Sequence, residues 1–433
     1  MSNNFVLRDS RLADGAIVDL RVVDGIVAEI GAGLAKSNDS VIDARKNIVL
    51  PGFVDLHTHL RQPGKESAET VLSGSQAAVK GGYTAVSAMA NTSPVADTAG
   101  VVEQVARLGR EAGLCDVYPV GAVTKGLEGQ ALAELSAMAN SAAKVRIFSD
   151  DGNCVSDPLL MRRALEYVKS FGGVIAQHAQ EPKLTQGAQM NEGVISGKLG
   201  LAGWPALAEE SIIARDILMA HHVQSRLHIC HLTTRGGVEL VRWAKSQGMS
   251  VTAEVTPHHL LLTDDLAESY DSVYKVNPPL RTQDDVQALR DGLADGTIDI
   301  VATDHAPHAA EAKECEWNTA AFGMLGLETA LSVVVEAMVS TKKMNWLQLV
   351  DRMSTAPARI AGYEGHGAIR VGAPAHLTVI DPDATWRVDR SALASKSSNT
   401  PFHGMSLPAT VLQTYFHGVQ VVNNGEVTGL RYE

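Results

Sequence analysis

Residues 53–59 read Phe-Val-Asp-Leu-His-Thr-His, a short apolar run that ends in polar side chains. Seven further runs of the same kind follow along the chain, at residues 83–91, 115–123, 144–151, 173–179, 227–233, 250–259 and 299–307. Most are separated by segments with apolar residues at helical spacing, as in residues 158–172 and 236–248. Eight repeats of strand and helix predict an α/β fold, a parallel (β/α)8 TIM-type barrel. A doubly wound open sheet is the alternative architecture.

The two ends of the chain have a different pattern from the middle. Apolar and polar residues alternate there at period two, and Asp24-Gly25 and Asn424-Gly425 are hairpin turn signals. We therefore expect a small β-sandwich domain built from both chain ends, residues 1–50 together with 362–433. The barrel domain would then span residues 51–361.

Composition excludes several kinds of partner. The 433 residues include 37 basic and 49 acidic side chains, for a formal charge of −12. Nucleic acids and anionic membranes attract basic surfaces, so we expect neither as a partner. No stretch reaches the roughly 18 apolar residues that a membrane span needs. Four scattered cysteines and an N-terminus without a signal-peptide pattern indicate a cytoplasmic protein.

Polar residues follow the predicted strands where a barrel enzyme has its active site, at the C-terminal strand ends. His57 and His59 are two residues apart, so on a strand they face the same side and can reach one metal ion. Four more runs carry such residues near their ends, namely Asp150-Asp151, His178, His231 and Asp304. Because a buried charge is costly unless it is paired or metal-bound, the set predicts a catalytic metal centre.

Each of these residues also has an ordinary explanation when taken alone. A single histidine is often a hydrogen-bonded core residue, and Asp304 could cap a helix. Cys230 precedes His231 directly, so on a strand the two side chains face opposite ways. The pair His221-His222 is expected on a helix surface, and the pair His258-His259 in a loop with local hydrogen bonds.

Histidines and carboxylates without a thiolate suit zinc in a catalytic site. Asp151, or else Asp150, could bridge two zinc ions. His57 and His59 would then hold one ion, and His178 and His231 the other. Water bound to such ions has a pKa of about 7, and Asp304 would orient it and carry its proton.

Two segments resemble signatures of the bacterial dihydroorotases in the amidohydrolase superfamily: PGFVDLHTHLRQPG at residues 51–64 and ATDHAPH at residues 302–308. Shorter matches occur between them in the same order, at residues 90–94, 148–152, 256–259 and 277–281. This resemblance implies a zinc enzyme of the class I type, with an aspartate bridging the metals. It also implies the reversible interconversion of N-carbamoyl-L-aspartate and L-dihydroorotate in pyrimidine biosynthesis.

The resemblance further implies which residues meet the substrate. Arg61 would form a bidentate pair with the substrate carboxylate, and Asn91 and His308 match the other carboxylate contacts. Asn277 matches a contact to the ring amide, and the backbone at Phe322-Gly323 matches a contact to the pyrimidine. The complete expected set is His59, Arg61, Asn91, Asn277, His308, Phe322 and Gly323. Each of these residues also has an ordinary explanation without the resemblance. Arg61 could form a surface ion pair, Asn91 and Asn277 could form turns, and His308 could be a loop histidine.

Two other functions remain as alternatives. Hydantoinases and allantoinases, which are also cyclic amidases, bridge their metals with a carboxylated lysine on the fourth strand. The only lysine there, Lys144, lies seven residues before Asp151 and would face the other way. A non-catalytic assembly subunit would lack the ligands present here.

Three features stay open at the level of sequence. The polar segment 309–321 is either a mobile lid or a plain surface loop. The chain could form a homo-oligomer, or a complex with aspartate transcarbamoylase as some relatives do.

Overall fold

The computed structural model describes residues 4–37 and 39–428, and a closed barrel of eight parallel strands forms its centre. Barrel strands 1 to 8 are, in this order, Phe53–Thr58, Tyr83–Ala88, Asp116–Pro119, Ile147–Phe148, Val174–Gln177, Leu227–Ile229, Val251–Val255 and Ile300–Val301. Single bridges, Gly121 to Phe148 and Thr58 to His305, join strand 3 to strand 4 and strand 8 to strand 1. The (β/α)8 barrel is therefore confirmed, and the open-sheet alternative is wrong.

A helix follows each barrel strand and packs on the outside of the barrel. These helices are Val71–Lys80, Ala99–Ala112, Leu135–Asn140, Pro158–Lys169, Ala206–Val223, Arg235–Ser246, Gln283–Asp295 and Ala330–Val334, the last continuing as the π-helix Val335–Val339. Hydroxyl or carboxylate side chains cap several of them, for example Thr70, Asp157 and Thr234, each accepting a backbone N–H of the first turn. Within the described residues, no helix is both long and apolar enough to cross a membrane.

Shorter elements fill the connections between these helices and strands. The additional helices are Val194–Leu199, Pro257–Leu261, Ala310–Lys313, Trp346–Val350 and Ala356–Ala361, the last two joined by the π-helix Asp351–Thr355. Short 3-10 turns span Lys125–Leu127, Asp264–Ser269, Ser272–Tyr274 and Arg390–Ala392. Strands Met190–Asn191 and Gly203–Trp204 form a separate parallel pair.

Small and medium apolar side chains fill the barrel interior. They come from most of the strands, with Leu56, Ala85 and Ala176 as examples, and helix Ala356–Ala361 contributes to the same cluster. A packed interior of this kind is rigid, so the C-terminal strand ends are held at fixed distances from one another.

Strands from both chain ends form a second sheet. Its order is Glu426–Val427, Val419–Asn423, Ser406–Phe416, Leu377–Arg387, Ile48–Pro51, Phe5–Arg11, Ile17–Val23 and Ile26–Gly31, and Ser40–Asp43 also pairs with Phe5–Arg11.

This sheet folds over itself into a sandwich. The rings of Phe5 and Tyr415 stack with centroids 5.0 Å apart although their strands are not neighbours. Both predicted hairpin turns, at residues 24–25 and 424–425, have two residues with positive φ, as a type I′ turn requires.

The composite β-sandwich expected from the sequence is thus confirmed. We propose residues 51–361 as the barrel domain, and residues 1–50 with 362–433 as the sandwich domain. Residues 429–433 of that second domain lie outside the described residues.

Candidate metal centre and active site

Strand 1 delivers two histidines to the C-terminal mouth of the barrel. The Nε2 atom of His57 lies 3.4 Å from Asp151 Oδ2 and 3.5 Å from Asp304 Oδ1. The Nε2 atom of His59 lies 3.3 Å and 3.0 Å from the same two oxygens. All four side chains are buried, so these two nitrogens and two oxygens surround one small space.

A second group shares the carboxylate of Asp151. Its Oδ1 atom lies 2.9 Å from His178 Nδ1 and 3.0 Å from His231 Nε2, and the two nitrogens are 2.9 Å apart. One oxygen of Asp151 therefore faces each pair of histidines, an arrangement that suits a bridging ligand. The neighbouring Asp150 instead accepts the backbone N–H groups of Val123 and Thr124, at 2.8 and 2.9 Å.

The donor atoms of both groups suit a metal ion. A tetrahedral zinc ion with bonds of about 2.1 Å places its ligand atoms roughly 3.4 Å apart, close to the distances here. The outer nitrogens of three histidines donate to acceptors: His57 to Glu254, His59 to Asn91 and His178 to Gln180. In the neutral form of each ring, the inner nitrogen then presents its lone pair to a metal ion.

The inner nitrogen of His57 is a second sign that a metal ion fits this site. Its Nε2 atom is buried and has no hydrogen-bond partner among the described residues. An unpartnered buried polar atom costs about 1–3 kcal/mol, which a metal ion would offset.

The electrostatics favour charged carboxylates at the centre of the cluster. Burial alone raises the pKa of Asp151, but the surrounding histidines outweigh burial and hold this pKa well below its usual value. For Asp304, His57 and His59 likewise outweigh burial and lower the pKa to about 2. Both carboxylates are therefore ionised at neutral pH.

Three residues of the site have unusual backbone conformations. Arg61, His231 and Asp304 adopt φ angles of 61°, 29° and 46°, which are rare for residues with a side chain. Such conformations cost on the order of 1–3 kcal/mol each and concentrate at functional sites. Here they occur at residues expected to meet the metal or the substrate.

The residues expected to bind the substrate carboxylate lie beside the first group. The guanidinium of Arg61 is buried, and its Nε donates to the carbonyl of Pro307 at 3.0 Å. Its Nη2 lies 3.4 Å from His308 Nε2, and Asn91 contacts His59 at 2.9 Å. Burial lowers the pKa of Arg61 to about 10, so the side chain remains a cation at neutral pH.

The remaining expected substrate contacts line the other side of the mouth. Asn277 donates to Gln180 at 3.3 Å, and its Oδ1 is buried without a partner among the described residues. The carbonyl of Phe322 accepts from His308 at 2.8 Å. Gly323 has a φ of 142°, and a Cβ there would lie 2.8 Å from His308 Nε2, so only glycine fits.

Sequence reasoning missed one carboxylate that contacts the cluster. Glu254, in barrel strand 7, accepts from His57 Nδ1 at 2.6 Å, His228 Nε2 at 3.0 Å and the backbone N–H of His231 at 3.2 Å. Because it accepts the hydrogen bond from Nδ1–H of His57, it fixes the tautomer that points the Nε2 lone pair into the site. The available signal was a lone glutamate inside the apolar run at residues 250–255.

The positions of two further histidine pairs can be compared with the sequence prediction. His221 and His222 lie exposed on a helix, as expected. His258 and His259 were expected in a loop, and this is wrong. They are buried in helix Pro257–Leu261, which Thr256 caps.

The segment at residues 309–321 is anchored beside the site. Lys313 is buried and donates to the carbonyls of Lys275 and Ala321 at 2.7 and 2.9 Å, and Lys275 donates to the carbonyl of Trp317 at 2.6 Å. The segment is thus tied to the barrel at several points, and its motion as a lid stays a prediction. Lys144 is exposed and precedes barrel strand 4 at the opposite end.

Solved structures share this architecture over almost the whole chain. An L-hydantoinase (dihydropyrimidinase) from Arthrobacter aurescens superposes with a TM-score of 0.88 at 28% identity, covering 98% of this chain and 97% of that one. A dihydropyrimidinase from Brevibacillus agri superposes with a TM-score of 0.86 at 22% identity, covering 98% of this chain and 96% of that one. These likenesses support the barrel with its β-sandwich.

Sequence relatives are closer still. A dihydroorotase from Streptomyces coelicolor is 61% identical over 98% of this chain and 99% of its own length. A dihydroorotase from Mycobacterium tuberculosis is 56% identical over 96% of this chain and 97% of its own length. The family pattern described as "Dihydro-orotase-like" matches residues 46–237. The fold and the site define a metal-dependent amidohydrolase. Within that class, the chain belongs to the dihydroorotase family.

Proposed function

We propose that this enzyme catalyses the reversible cyclisation of N-carbamoyl-L-aspartate to L-dihydroorotate. Family membership at 56–61% identity supports the reaction. The observation that carries the substrate choice is Arg61, a buried cation beside the carboxylate–histidine cluster. A cyclic amide without a carboxylate, such as hydantoin, would leave this guanidinium unpaired.

We propose zinc as the metal, with two ions per chain. One ion would be held by His57, His59 and Asp304. The other would be held by His178 and His231. Asp151 would be a ligand of both ions. The interatomic distances of about 3 Å within each group support this assignment. When bound, zinc polarises a carbonyl oxygen and lowers the pKa of a nearby water.

Asp304 would carry the proton during the reaction. In the hydrolytic direction, water adds to the ring amide carbonyl carbon and the carbon–nitrogen bond breaks. The ionised carboxylate of Asp304 takes the proton of the attacking water and gives it to the leaving nitrogen. Cyclisation reverses these steps, with the carboxylate of the open form losing an oxygen as water.

Arg61 would fix the substrate for this chemistry. Because its Nε is held by the carbonyl of Pro307, its two terminal nitrogens remain available for a bidentate carboxylate pair. Asn91 and His308 would complete the carboxylate pocket. Burial and the charge of Arg61 lower the pKa of His308 to about 3, so this imidazole is neutral and adds no second cation.

The decisive experiment combines metal analysis with assays of two substrates. Zinc-loaded enzyme should interconvert carbamoyl-aspartate and dihydroorotate and turn over hydantoin poorly. A preference for hydantoin would refute the proposal in favour of a hydantoinase. The absence of any turnover in the fully loaded protein would favour a non-catalytic subunit, although the six expected ligands are all present.

Localisation and assembly are also proposals. We infer a cytoplasmic enzyme, because its four cysteines are free thiols within the described residues. A homo-oligomer and a complex with aspartate transcarbamoylase stay predictions. Light scattering of the purified chain, alone and mixed with that enzyme, would test both.

A further inference from the structure

A second group of histidines and a carboxylate lies at the end of the barrel opposite the active site. Asp116 is the first residue of barrel strand 3, His376 precedes strand Leu377–Arg387, and His417 lies in the turn after Ser406–Phe416. One ligand atom from each lies within 4.8 Å of the other two. The group therefore joins the barrel to the β-sandwich, and it shares no residue with the active site.

Buried neighbours hold two of the three side chains in place. His366 donates from Nε2 to Asp116 Oδ2 at 2.9 Å, and its Nδ1 accepts from Thr84 at 3.2 Å. The ring of His366 stacks on that of His376, with centroids 4.3 Å apart and planes 9° apart. A carboxylate oriented by a buried imidazole is typical of the residues that support a metal ligand.

The lone pair of one imidazole faces the group. The Nδ1 atom of His376 accepts the backbone N–H of His417, so this nitrogen presents a lone pair towards His417. A divalent metal ion binds imidazole through such a lone pair. The carboxylate of Asp116 supplies the negative charge.

We propose that Asp116, His376 and His417 bind a divalent transition-metal ion, zinc foremost, which links the barrel to the β-sandwich. Two imidazoles and a carboxylate are a common zinc ligand set. The ligand atoms of a tetrahedral ion lie roughly 3.4 Å apart. The atoms of these three side chains lie within 4.8 Å of one another, so each distance must shorten by at most about 1.4 Å. His417 is exposed in a two-residue turn and can supply that movement by rotating its side chain.

The surroundings leave room for such an ion. Among the described residues, the Nδ1 atom of His376 has one hydrogen bond, a long one of 3.3 Å from the backbone N–H of His417, which metal binding would replace or rearrange. A cavity of about 730 Å³ opens beside the group, lined in part by Asp116, Tyr118, Tyr363 and His417. Water from this cavity can complete the coordination shell.

Zinc content compared between variants tests the proposal independently of the active-site stoichiometry. Wild type, His417→Ala and Asp116→Asn are stripped with a chelator and dialysed against buffered free zinc, and bound zinc is measured by mass spectrometry. Exposed His222 provides a matched control as His222→Ala. We expect both test variants to bind one zinc fewer per chain, with unchanged dihydroorotate turnover, while the control equals wild type.

Thermal unfolding gives a second measurement. Zinc should raise the Tm of wild type and His222→Ala more than that of His417→Ala, since only the first two can link the barrel to the sandwich. Equal zinc content in wild type and His417→Ala would overturn the proposal. So would the loss of one zinc from His222→Ala as well.

Discussion

Replacing Glu254 with glutamine removes one negative charge from the side chain that holds His57 while leaving its shape almost unchanged. Glu254 accepts from His57 and from the backbone of His231 through Oε1, and from His228 through Oε2. In the variant, the amide oxygen can keep the first two bonds. The amide nitrogen then faces His228, whose other nitrogen can donate to Thr252 at 2.8 Å after a change of tautomer. Only the charge is lost.

The size of the effect follows from the difference between charged and neutral hydrogen bonds. A bond to a charged group contributes about 1.5–3 kcal/mol and a neutral one about 0.5–1.5, so the bond from His57 weakens by about 1–1.5 kcal/mol. We therefore expect zinc affinity to fall roughly tenfold in Glu254→Gln. Glu254→Ala, which also removes the acceptor, should lose about a hundredfold.

Zinc affinity is measured by competition with a chromophoric chelator, and turnover is measured at saturating zinc. Glu328→Gln is the matched control, because Glu328 is a buried carboxylate whose contacts are Lys80 and the backbone at residues 394–395. The control should bind zinc like wild type. If Glu254→Gln binds zinc within a factor of two of wild type, the proposed role in orienting His57 is wrong.

Four further changes test other parts of the site. Asp304→Asn should lower kcat by about 10²–10⁴ while zinc stays largely bound; near-normal turnover would exclude Asp304 as the base. Arg61→Met should raise KM and lower kcat/KM for dihydroorotate with metal content unchanged, and an unaltered KM would remove it from the carboxylate pocket. Gly323→Ala should raise KM because the added Cβ would lie 2.8 Å from both Ala306 and His308, whereas wild-type kinetics would contradict the tight contact. Burial lowers the pKa of Lys313 to about 7, so the folded state binds fewer protons than the unfolded state between about pH 7 and 10.5. The free energy of unfolding should therefore rise across that window by at most about 1.4 kcal/mol per pH unit. In urea titrations at several pH values, Lys313→Met should show a smaller rise than wild type.

The barrel, and the meeting of the six expected ligands at its mouth, were predictable because their signals are local. Each strand is a short apolar run, and the candidate ligands lie at the strand ends. His57 is the penultimate residue of strand 1, and Asp304 comes three residues after strand 8. The barrel rule then places all the strand ends together without any knowledge of individual contacts. The family resemblance favours Asp151 over Asp150, whereas the residues alone leave both open, since adjacent residues differ only in the direction of their side chains. The contacts of the two carboxylates agree with Asp151, which faces the histidines.

The supporting residues could not be found in this way. Glu254 and His57 are 197 positions apart in sequence, and nothing local marks the contact between them. Helix Pro257–Leu261 has five residues, too few for an apolar period to appear, so His258 and His259 were misplaced in a loop. The approach of His417 to Asp116 depends on how the β-sandwich docks on the barrel, which the sequence pattern does not determine.

The strand order of the composite sheet also bears on how the chain folds during translation. Strand Ile48–Pro51 leaves the ribosome early, but its partner Leu377–Arg387 follows more than 300 residues later. At about 5–20 residues per second, that interval lasts roughly 15–65 s. The entire barrel is synthesised while one edge of the N-terminal strands has unsatisfied backbone groups, which invite pairing with other nascent chains. Ribosome stalling within the barrel should therefore favour aggregation through this edge.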